Sequence, residues 1–284
     1  MSSSSKPPVL WGRIHQYLSE IAEGVYRIPA RAANTYLVEA KSGLVLVDTG
    51  LPGSEKRILS TMARLGKEPR KVKLIVLTHR HIDHIGSAAA LKKETGASLA
   101  SHQFEKPYVA GTLMVSMPPA WSLKGKMTKR FVSLGQSVAK LFRLINYHPI
   151  YVDKVADDDS ILEEVGLDGT ILWTPGHTKG SVSLFLNKPK AVIIGDLLRS
   201  SHGKLVEPLL MESISQTQAS VQRVLELGPV LVCPGHGKPL PASAVKVSKR
   251  VVTPVPAKKK QEEEDDLDKL TADLFKVDPQ AQAQ

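Results

Sequence analysis

Short runs of apolar residues, each ended by glycine, proline or polar residues, recur along most of the chain and predict β-strands. One of them, K-L-I-V-L at residues 73–77, is almost continuously apolar, which is typical of a buried parallel strand. The predicted strands are 24–29, 33–40, 42–48, 72–77, 97–102, 170–173, 181–186, 191–194 and 230–233.

Segments with helical character separate several of these strands, and the clearest are residues 54–65, 83–93 and 215–227. Strands that alternate with helices along a chain indicate an α/β protein. The sequence therefore predicts the α/β class before any motif is considered.

Residues 104–148 interrupt this rhythm and predict a helical cap inserted into the domain. An apolar stripe with spacings of three and four residues runs through it, formed by Met127, Phe131, Leu134, Val138, Leu141 and Ile145. Residues 121–146 also contain six lysine or arginine side chains and no acidic one. We expect the stripe to pack on the body of the protein. A basic amphipathic helix that makes peripheral contact with a membrane, or with an acyl chain, is the alternative.

The segment L-T-H-R-H-I-D-H-I-G places His79, His81, Asp83 and His84 at a predicted strand-to-helix turn. Residues on one helix face are three or four apart, so spacings of two, two and one do not describe such a face. The carboxyl ends of strands are where α/β proteins bind their ligands. Imidazole and carboxylate groups together suit zinc, iron or manganese. The turn is therefore a candidate metal site.

Three further polar residues each follow an apolar run and have a glycine directly before them. They are His177 in T-P-G-H, Asp196 in I-I-G-D and His236 in C-P-G-H-G. Glycine lets the backbone turn sharply and leaves room beside a site. Four separate strand ends thus each deliver a potential metal ligand.

These motifs, H-x-H-x-D-H, T-P-G-H-T-x-G-S, G-D and P-G-H-G with V-D-T-G upstream, resemble those of the metallo-β-lactamase-fold hydrolases. The resemblance covers about residues 24–240 apart from the insert. It implies an αββα sandwich, with two mixed sheets flanked by helices and the metals at one sheet edge. We place this domain at residues 9–245.

The resemblance also implies the role of each motif residue. One metal would be bound by His79, His81 and His177, the other by Asp83, His84 and His236. Asp196 would bridge the two, and Asp48 would orient a ligand histidine. The cofactors are then two divalent ions, with zinc the first choice and iron or manganese the alternatives.

Two such ions hold a hydroxide that attacks a carbonyl carbon or a phosphorus, and Asp83 would be the catalytic residue that orients it and passes a proton. We therefore expect a dinuclear hydrolase of a carboxylic ester, lactone or thioester with apolar character. The substrate would be a small molecule, anionic and acyl-bearing, and Lys179 and Arg199 are candidates to hold its charge.

Two other reactions remain open at this point. One is persulfide oxidation by a mononuclear iron centre, which metal content and oxygen consumption would reveal. The other is phosphodiester or nucleic-acid cleavage, whose rate falls steeply with salt. We do not favour a nucleic-acid partner, and the sequence does not indicate an oligomeric state.

Charge and cysteine content change this picture little. The formal net charge is +10, and residues 254–284 hold 5 basic and 8 acidic side chains, so the rest of the chain is more basic still. A basic body favours anionic partners.

The single cysteine, Cys233, excludes a disulfide framework and a thiolate zinc site and favours a reducing cytoplasm. Residues 1–8 read as a disordered leader without a signal core, and residues 246–284 as a charged, mostly disordered tail.

Overall fold

A computed structural model describes residues 19–115, 118–122, 124–130, 132–133, 147–157 and 159–247, all of which belong to one compact unit, residues 1–249. The predicted leader, nearly all of the predicted tail and the insert's apolar stripe beyond Met127 lie outside these residues. Their assignments therefore stay predictions.

Fourteen strands form two main sheets and a hairpin within the described residues. They are β1 (Ser19–Ala22), β2 (Val25–Pro29), β3 (Asn34–Ala40), β4 (Gly43–Val47), β5 (Val72–Leu77), β6 (Ser98–Ser101), β7 (Lys154–Val155), β8 (Gly169–Trp173), β9 (Val182–Leu186), β10 (Ala191–Ile193), β11 (Arg199–Ser201), β12 (Lys204–Val206), β13 (Leu231–Cys233) and β14 (Leu240–Pro241).

The helices connect these strands. They are α1 (Glu55–Arg64), α2 (Ile82–Ile85), α3 (Ala88–Thr95), α4 (Lys106–Val109), α5 (Ser160–Glu163) and α6 (Ile214–Glu226), with 3-10 turns at Pro69–Lys71 and Ala242–Ala244. Residues 124–130 of the insert are also helical. No helix among the described residues is both long enough and apolar enough to cross a bilayer.

Both main sheets are mixed, as expected. The first has the order β1-β2-β3-β4-β5-β6-β7, with antiparallel pairs up to β4 and parallel pairs from β4 onward. The second has the order β14-β13-β10-β9-β8, and its β10–β13 pair is parallel. Strands β11 and β12 form a separate antiparallel hairpin.

Strand β4 shows why the layers stack. Its side chains alternate between two faces, so Val45 and Val47 join the core cluster shared by the two sheets. Leu44 and Leu46 instead join a second cluster, where the first sheet packs on α1 and α3. A third cluster lies where the second sheet packs on α6. The three apolar clusters therefore separate four layers of helices and sheets, which confirms the predicted αββα sandwich.

The predicted helix at residues 83–93 is interrupted, and the structure has α2 and α3 in its place. Gly86 lies so close to Pro52 that a Cβ on it would be 2.3 Å from the proline Cδ. The Ser87 hydroxyl donates to Leu51 O at 2.8 Å and accepts from the Ser54 amide at 3.0 Å. These contacts with the loop before α1 break the helix, and a periodicity argument does not include them.

The insert is only partly described. Within it, α4 and the helical residues 124–130 are present. Met127, the one described member of the predicted apolar stripe, is 67% exposed. That residue does not pack on the body as we expected.

Candidate metal centre

The predicted site residues follow five strands whose carboxyl ends meet at one edge of the sandwich. Asp48 follows β4, and the H-x-H-x-D-H segment follows the parallel neighbour β5. Asp196 and His236 follow β10 and β13, which are also parallel neighbours. His177 follows β8. The topology thus brings residues 150 or more positions apart to one place.

All seven predicted ligands lie in two adjoining groups. The members of the groups are His79, His81, His177 and Asp196 in one, and Asp83, His84 and His236 in the other. In each group the potential ligand atoms lie within 4.8 Å of one another.

In the first group three ring nitrogens converge. The Nδ1 atom of His81 lies 3.0 Å from Nε2 of His79 and 2.9 Å from Nε2 of His177. Oδ2 of Asp196 is 3.5 Å from Nε2 of His177 and 4.0 Å from that of His79. Three imidazole nitrogens and one carboxylate oxygen are a suitable donor set for a divalent cation.

Asp196 also faces the second group. Its Oδ1 atom is 3.3 Å from Nε2 of His84, and its Oδ2 atom is 3.2 Å from Nε2 of His236. Oδ2 of Asp83 is 3.3 Å from the same His236 nitrogen. Asp196 thus lies between the two groups, which is the position that the motif resemblance implies for it.

Four of the five histidines are held through the ring nitrogen that points away from the centre. Nδ1 of His79 contacts Thr78 Oγ1 at 3.0 Å, and Nδ1 of His84 contacts Asp48 Oδ2 at 2.7 Å. Nδ1 of His177 donates to Leu210 O at 2.9 Å, and Nδ1 of His236 to Ala32 O at 3.1 Å. Such bonds fix the tautomer, so that each Nε2 lone pair is free for a metal.

Asp48 connects two of these histidines. Its carboxylate accepts hydrogen bonds from the Thr78 amide and the Thr78 hydroxyl, both at 2.8 Å, and from His84. The Thr78 hydroxyl therefore has its lone pairs available for His79. The orienting role expected of Asp48 agrees with this geometry, whereas sequence reasoning missed Thr78, Ala32 and Leu210.

Two glycines make room for the cluster. A Cβ on Gly235 would lie 2.5 Å from Asp196 Oδ1 and 2.6 Å from Cε1 of His84. A Cβ on Gly195, whose φ is +48°, would lie 2.6 Å from Thr78 Oγ1. The glycine before each ligand, noted in the sequence, is thus needed for close approach at these two positions.

The first group is neutral at its imidazoles. Burial, together with neighbouring imidazoles, lowers the pKa of His79 well below its usual range and that of His81 to about 3. Burial also lowers the pKa of His177. A neutral imidazole keeps the lone pair that a metal needs.

Negative charge is concentrated at Asp83 in the second group and at Asp196, which faces it. Burial opposes ionisation of Asp83 and Asp196, but the neighbouring His84 and His236 lower the pKa of Asp83 to about 2 and that of Asp196 well below its usual range. Asp196 in turn raises the pKa of His236 to about 10. Burial opposes the charge on His84 as well, yet Asp196 and Asp48 raise its pKa well above its usual range. Protons on the His84 and His236 imidazoles thus compensate the carboxylate charges that a bound cation would otherwise compensate.

Unsatisfied atoms at the centre also fit a metal. The buried Nε2 of His84 and Oδ1 of Asp196 lie 3.3 Å from each other, but neither forms a well-directed hydrogen bond with any described residue. An unpaired buried polar atom is costly, and both of these atoms face the same space between the groups. The donor types and these two atoms fit a divalent cation.

A buried ion pair braces the first group, and sequence reasoning missed it. Arg80, between His79 and His81, donates through Nη1 to both carboxylate oxygens of Glu105, at 3.0 and 3.1 Å. Glu105 is fully buried and also accepts from the Thr178 hydroxyl at 2.9 Å and the Gly180 amide at 2.7 Å. The brace thereby joins the His79–His84 turn to the loop of His177. A charged residue between two ligands was its one signal in the sequence.

A second brace holds the His236 loop. The Asn34 side-chain amide donates to Pro234 O at 2.9 Å and to Gly237 O at 2.8 Å. The Tyr36 hydroxyl donates to the same Pro234 carbonyl at 2.7 Å. Both side chains come from β3 and are buried. A strand of the first sheet thus positions His236, which follows a strand of the second sheet.

The two candidate substrate-binding cations differ in their surroundings. The ammonium of Lys179 lies 4.8 Å from the centre of the Phe104 ring. Arg199 begins β11, and the amide of the next residue, Ser200, donates to His236 O at 2.9 Å. Arg199 makes no ion pair with any described residue, and its buried Nε has no partner there. Arg199 therefore lies beside a ligand loop with its charge unpaired.

This fold and donor set define a metal-dependent hydrolase, and the chain belongs to the metallo-β-lactamase superfamily, whose family model matches residues 28–236. It is 29% identical to the probable metallo-hydrolase YflN of Bacillus subtilis over 245 residues, which cover 78% of this chain and 86% of that protein. It is 28% identical over 148 residues to the hydroxyacylglutathione hydrolase GloC of Haemophilus influenzae, covering 52% of this chain and 58% of that one.

Solved structures share the fold. TTHA1623, determined in a di-iron-bound form, superposes with a TM-score of 0.54 at 23% identity, covering 75% of this chain and 91% of that one. The predictions of family, fold and enzymatic class are confirmed.

Proposed function

We propose that the chain is a dinuclear hydrolase of a carboxylic ester, lactone or thioester with apolar character. His79, His81 and His177 would hold one ion and Asp83, His84 and His236 the other, with Asp196 shared between them. The observation that carries this is the second group, which is complete and contains the unsatisfied Nε2 of His84. A mononuclear centre bound by the first group would not need these three residues as metal ligands.

Two bound divalent cations would supply the Lewis acidity that activates water and polarises a carbonyl oxygen. We assign zinc as the first candidate. Iron is the alternative, because the similar structure TTHA1623 was determined in a di-iron-bound form.

The chain's own residues contribute the rest. Asp83 is ionised, and its side chain is 24% exposed, whereas that of His84 is fully buried. The Asp83 carboxylate is therefore the acceptor in the second group that an incoming water can reach. We assign Asp83 to orient that water and to accept its proton.

The substrate proposal rests on the relatives and on charge. GloC is named as a hydroxyacylglutathione hydrolase, and the bond cleaved in such a substrate is a thioester. Arg199, unpaired beside the His236 loop, would bind an anionic group of the substrate. Lys179 is a weaker candidate because its ammonium already lies over Phe104. The partner is then a small anionic molecule that carries an acyl group, and a cytoplasmic location remains a prediction.

The test combines metal analysis with a panel of chromogenic esters, lactones, thioesters and phosphodiesters. We expect about two metal ions per chain in the wild type and about one in Asp83→Ala and His84→Ala. Turnover of an ester or thioester should fall at least about 100-fold in both variants, while circular dichroism stays unchanged. Asp168→Asn, which alters an exposed carboxylate paired with Asn187, is the matched control and should keep full activity.

Other outcomes would contradict the proposal. One iron per chain, together with oxygen consumption on glutathione persulfide that survives Asp83→Ala, would establish a mononuclear dioxygenase. Turnover of phosphodiesters alone, with a steep loss of rate as salt rises, would establish a phosphodiesterase.

A further inference from the structure

Residues 119–121 of the insert are attached to a short segment of the body. Ala120 forms an antiparallel bridge with Leu210, and the Met211 amide donates to Pro119 O at 3.2 Å. The indole Nε1 of Trp121 donates to Met211 O at 2.8 Å. The position of Trp121 is therefore fixed by its own side chain as well as by the backbone.

The same segment holds a predicted metal ligand. The Leu210 carbonyl accepts from Nδ1 of His177 at 2.9 Å, and the Glu212 amide donates to the His177 carbonyl at 3.2 Å. Leu210 thus contacts His177 through its carbonyl and the insert through its bridge to Ala120. Trp121 is therefore connected, through Met211 and Leu210, to the outer side of the His177 ring.

Trp121 presents apolar surface at this place. The residue is 51% exposed although its indole N–H is already bonded. The helical residues 124–130 lie beside it, since a Cβ on Gly125 would be 2.6 Å from Leu209 O. That close approach leaves Met127 on the outside of the segment, 67% exposed. A large aromatic ring with a satisfied polar end is suited to bind an apolar ligand.

Charge around this surface selects the kind of ligand. The described residues nearest to Trp121 in the sequence, 118–122 and 124–130, contain four lysine or arginine residues and no aspartate or glutamate. The side chains of Lys124 and Lys126 are exposed next to Trp121. The nearby acidic residue Glu212 is paired with Arg80, so the remaining charge at this surface is basic. A basic surface raises the local concentration of anions, so an amphiphile with an apolar chain and an anionic group matches it.

We propose that Trp121 forms the wall of the substrate site that contacts the acyl chain, and thereby determines specificity for medium-chain substrates. This inference rests on the proposed hydrolysis of acyl esters or thioesters. Trp121 contacts the part of the substrate that does not react. Its removal should therefore change binding of long acyl groups and leave turnover of short ones unchanged.

The kinetic test compares chromogenic acetate and decanoate esters on the metal-loaded protein. Trp121→Ala should lower kcat/KM about 10-fold for the decanoate ester, through KM, and leave the acetate ester unchanged. Trp121→Phe should keep most of the preference, because it retains an aromatic face while losing the bond to Met211. Tyr151→Ala removes an aromatic side chain just after the insert that is also exposed, at 78%, and should have no effect.

Two kinetic results would overturn the inference. Equal losses in Trp121→Phe and Trp121→Ala on both esters would mean that Trp121 only anchors the insert to Met211. An unchanged chain-length preference in Trp121→Ala would mean that the acyl chain lies elsewhere.

A binding measurement separates this inference from the proposed reaction. Sodium decanoate, titrated below its micelle concentration, should change the tryptophan fluorescence of the wild type and of Tyr151→Ala but not that of Trp121→Phe. If no ester is hydrolysed and this signal is present, the acyl site stands and the reaction is wrong. If the protein binds phosphatidylglycerol vesicles but does not respond to monomeric decanoate, the surface contacts lipid bilayers and the inference is overturned.

Discussion

The Oδ2 atom of Asp48 lies 2.7 Å from Nδ1 of His84, and both side chains are buried. Asp48 reaches this position from a backbone with φ of +62°, which few residues other than glycine, asparagine and aspartate adopt. The strained residue is therefore one whose side chain orients a predicted metal ligand.

This geometry makes Asp48→Asn a specific test. Asparagine tolerates the same backbone conformation, so the fold should persist. The neutral amide binds the His84 imidazole less strongly than a carboxylate, and the orientation of Nε2 becomes less certain. We expect metal affinity and kcat/KM to fall by about 10- to 100-fold, measured by metal titration and steady-state kinetics. Wild-type affinity in this variant would mean that His84 is held by other contacts.

A second prediction concerns the space next to Asp196. Gly235→Ala would place a Cβ 2.5 Å from Asp196 Oδ1 and 2.6 Å from a ring carbon of His84. We expect loss of at least one metal ion, detected by metal analysis of the purified variant, and with it loss of turnover.

Gly228→Ala provides the control for Gly235→Ala. Its Cβ would meet open space, but its φ is +64°, so alanine should cost about 1–2 kcal/mol of unfolding free energy. This variant should be less stable and still bind two metals. Equal metal content in the two variants would contradict the close approach at Gly235.

The parts of the fold that were predictable are those encoded by local pattern. Strand β5 is apolar almost throughout, and its motif residues follow directly, so both strand and site could be read from residues 72–84. Helix α2 ends early because Gly86 packs on Pro52, which is 34 positions away in the sequence. Local periodicity does not contain that contact.

The same limit applied to the site. Side chains that bind metals have recognisable types and spacings, so the sequence could name seven candidate ligands, and the structure brings them together in two groups. The groups that hold them are a threonine, two backbone carbonyls and a buried ion pair, and these have no distinctive sequence pattern. Arg80 resembles an ordinary surface charge until Glu105, from the beginning of the insert, is placed against it.

A third prediction tests this ion pair. Glu105 receives bonds from Arg80, Thr178 and Gly180 in a buried environment. In Glu105→Gln the buried Arg80 keeps only its ion pair with the partly exposed Glu212, so the substitution should lower the unfolding free energy by about 2 kcal/mol. It should also lower kcat/KM, because Arg80 is flanked by two predicted ligands. Urea unfolding and steady-state kinetics measure the two effects.

Glu39→Gln is the matched control for the ion-pair prediction. Glu39 also pairs with a basic side chain, Lys67, but this pair is exposed, with 43% of the Glu39 side chain accessible. Exposed pairs contribute at most about 1 kcal/mol. A loss of stability as large in Glu39→Gln as in Glu105→Gln would show that burial of the Arg80 pair does not matter.

A fourth prediction concerns pH. His102 is buried against Trp173, with ring centres 5.6 Å apart and planes at 12°, and burial lowers its pKa to about 4. An exposed histidine has a pKa near 6.5, so between pH 6.5 and 4 the unfolded chain binds a proton here that the folded chain does not. Stability is therefore lost as pH falls through this window, by up to about 1.36 kcal/mol per pH unit from this one group.

His102→Phe keeps a ring against Trp173 and removes the titration. Urea unfolding of the metal-loaded proteins should give a shallower pH slope for the variant below pH 6.5 and parallel curves above it. Equal slopes in the acid window would mean that His102 takes up its proton without unfolding.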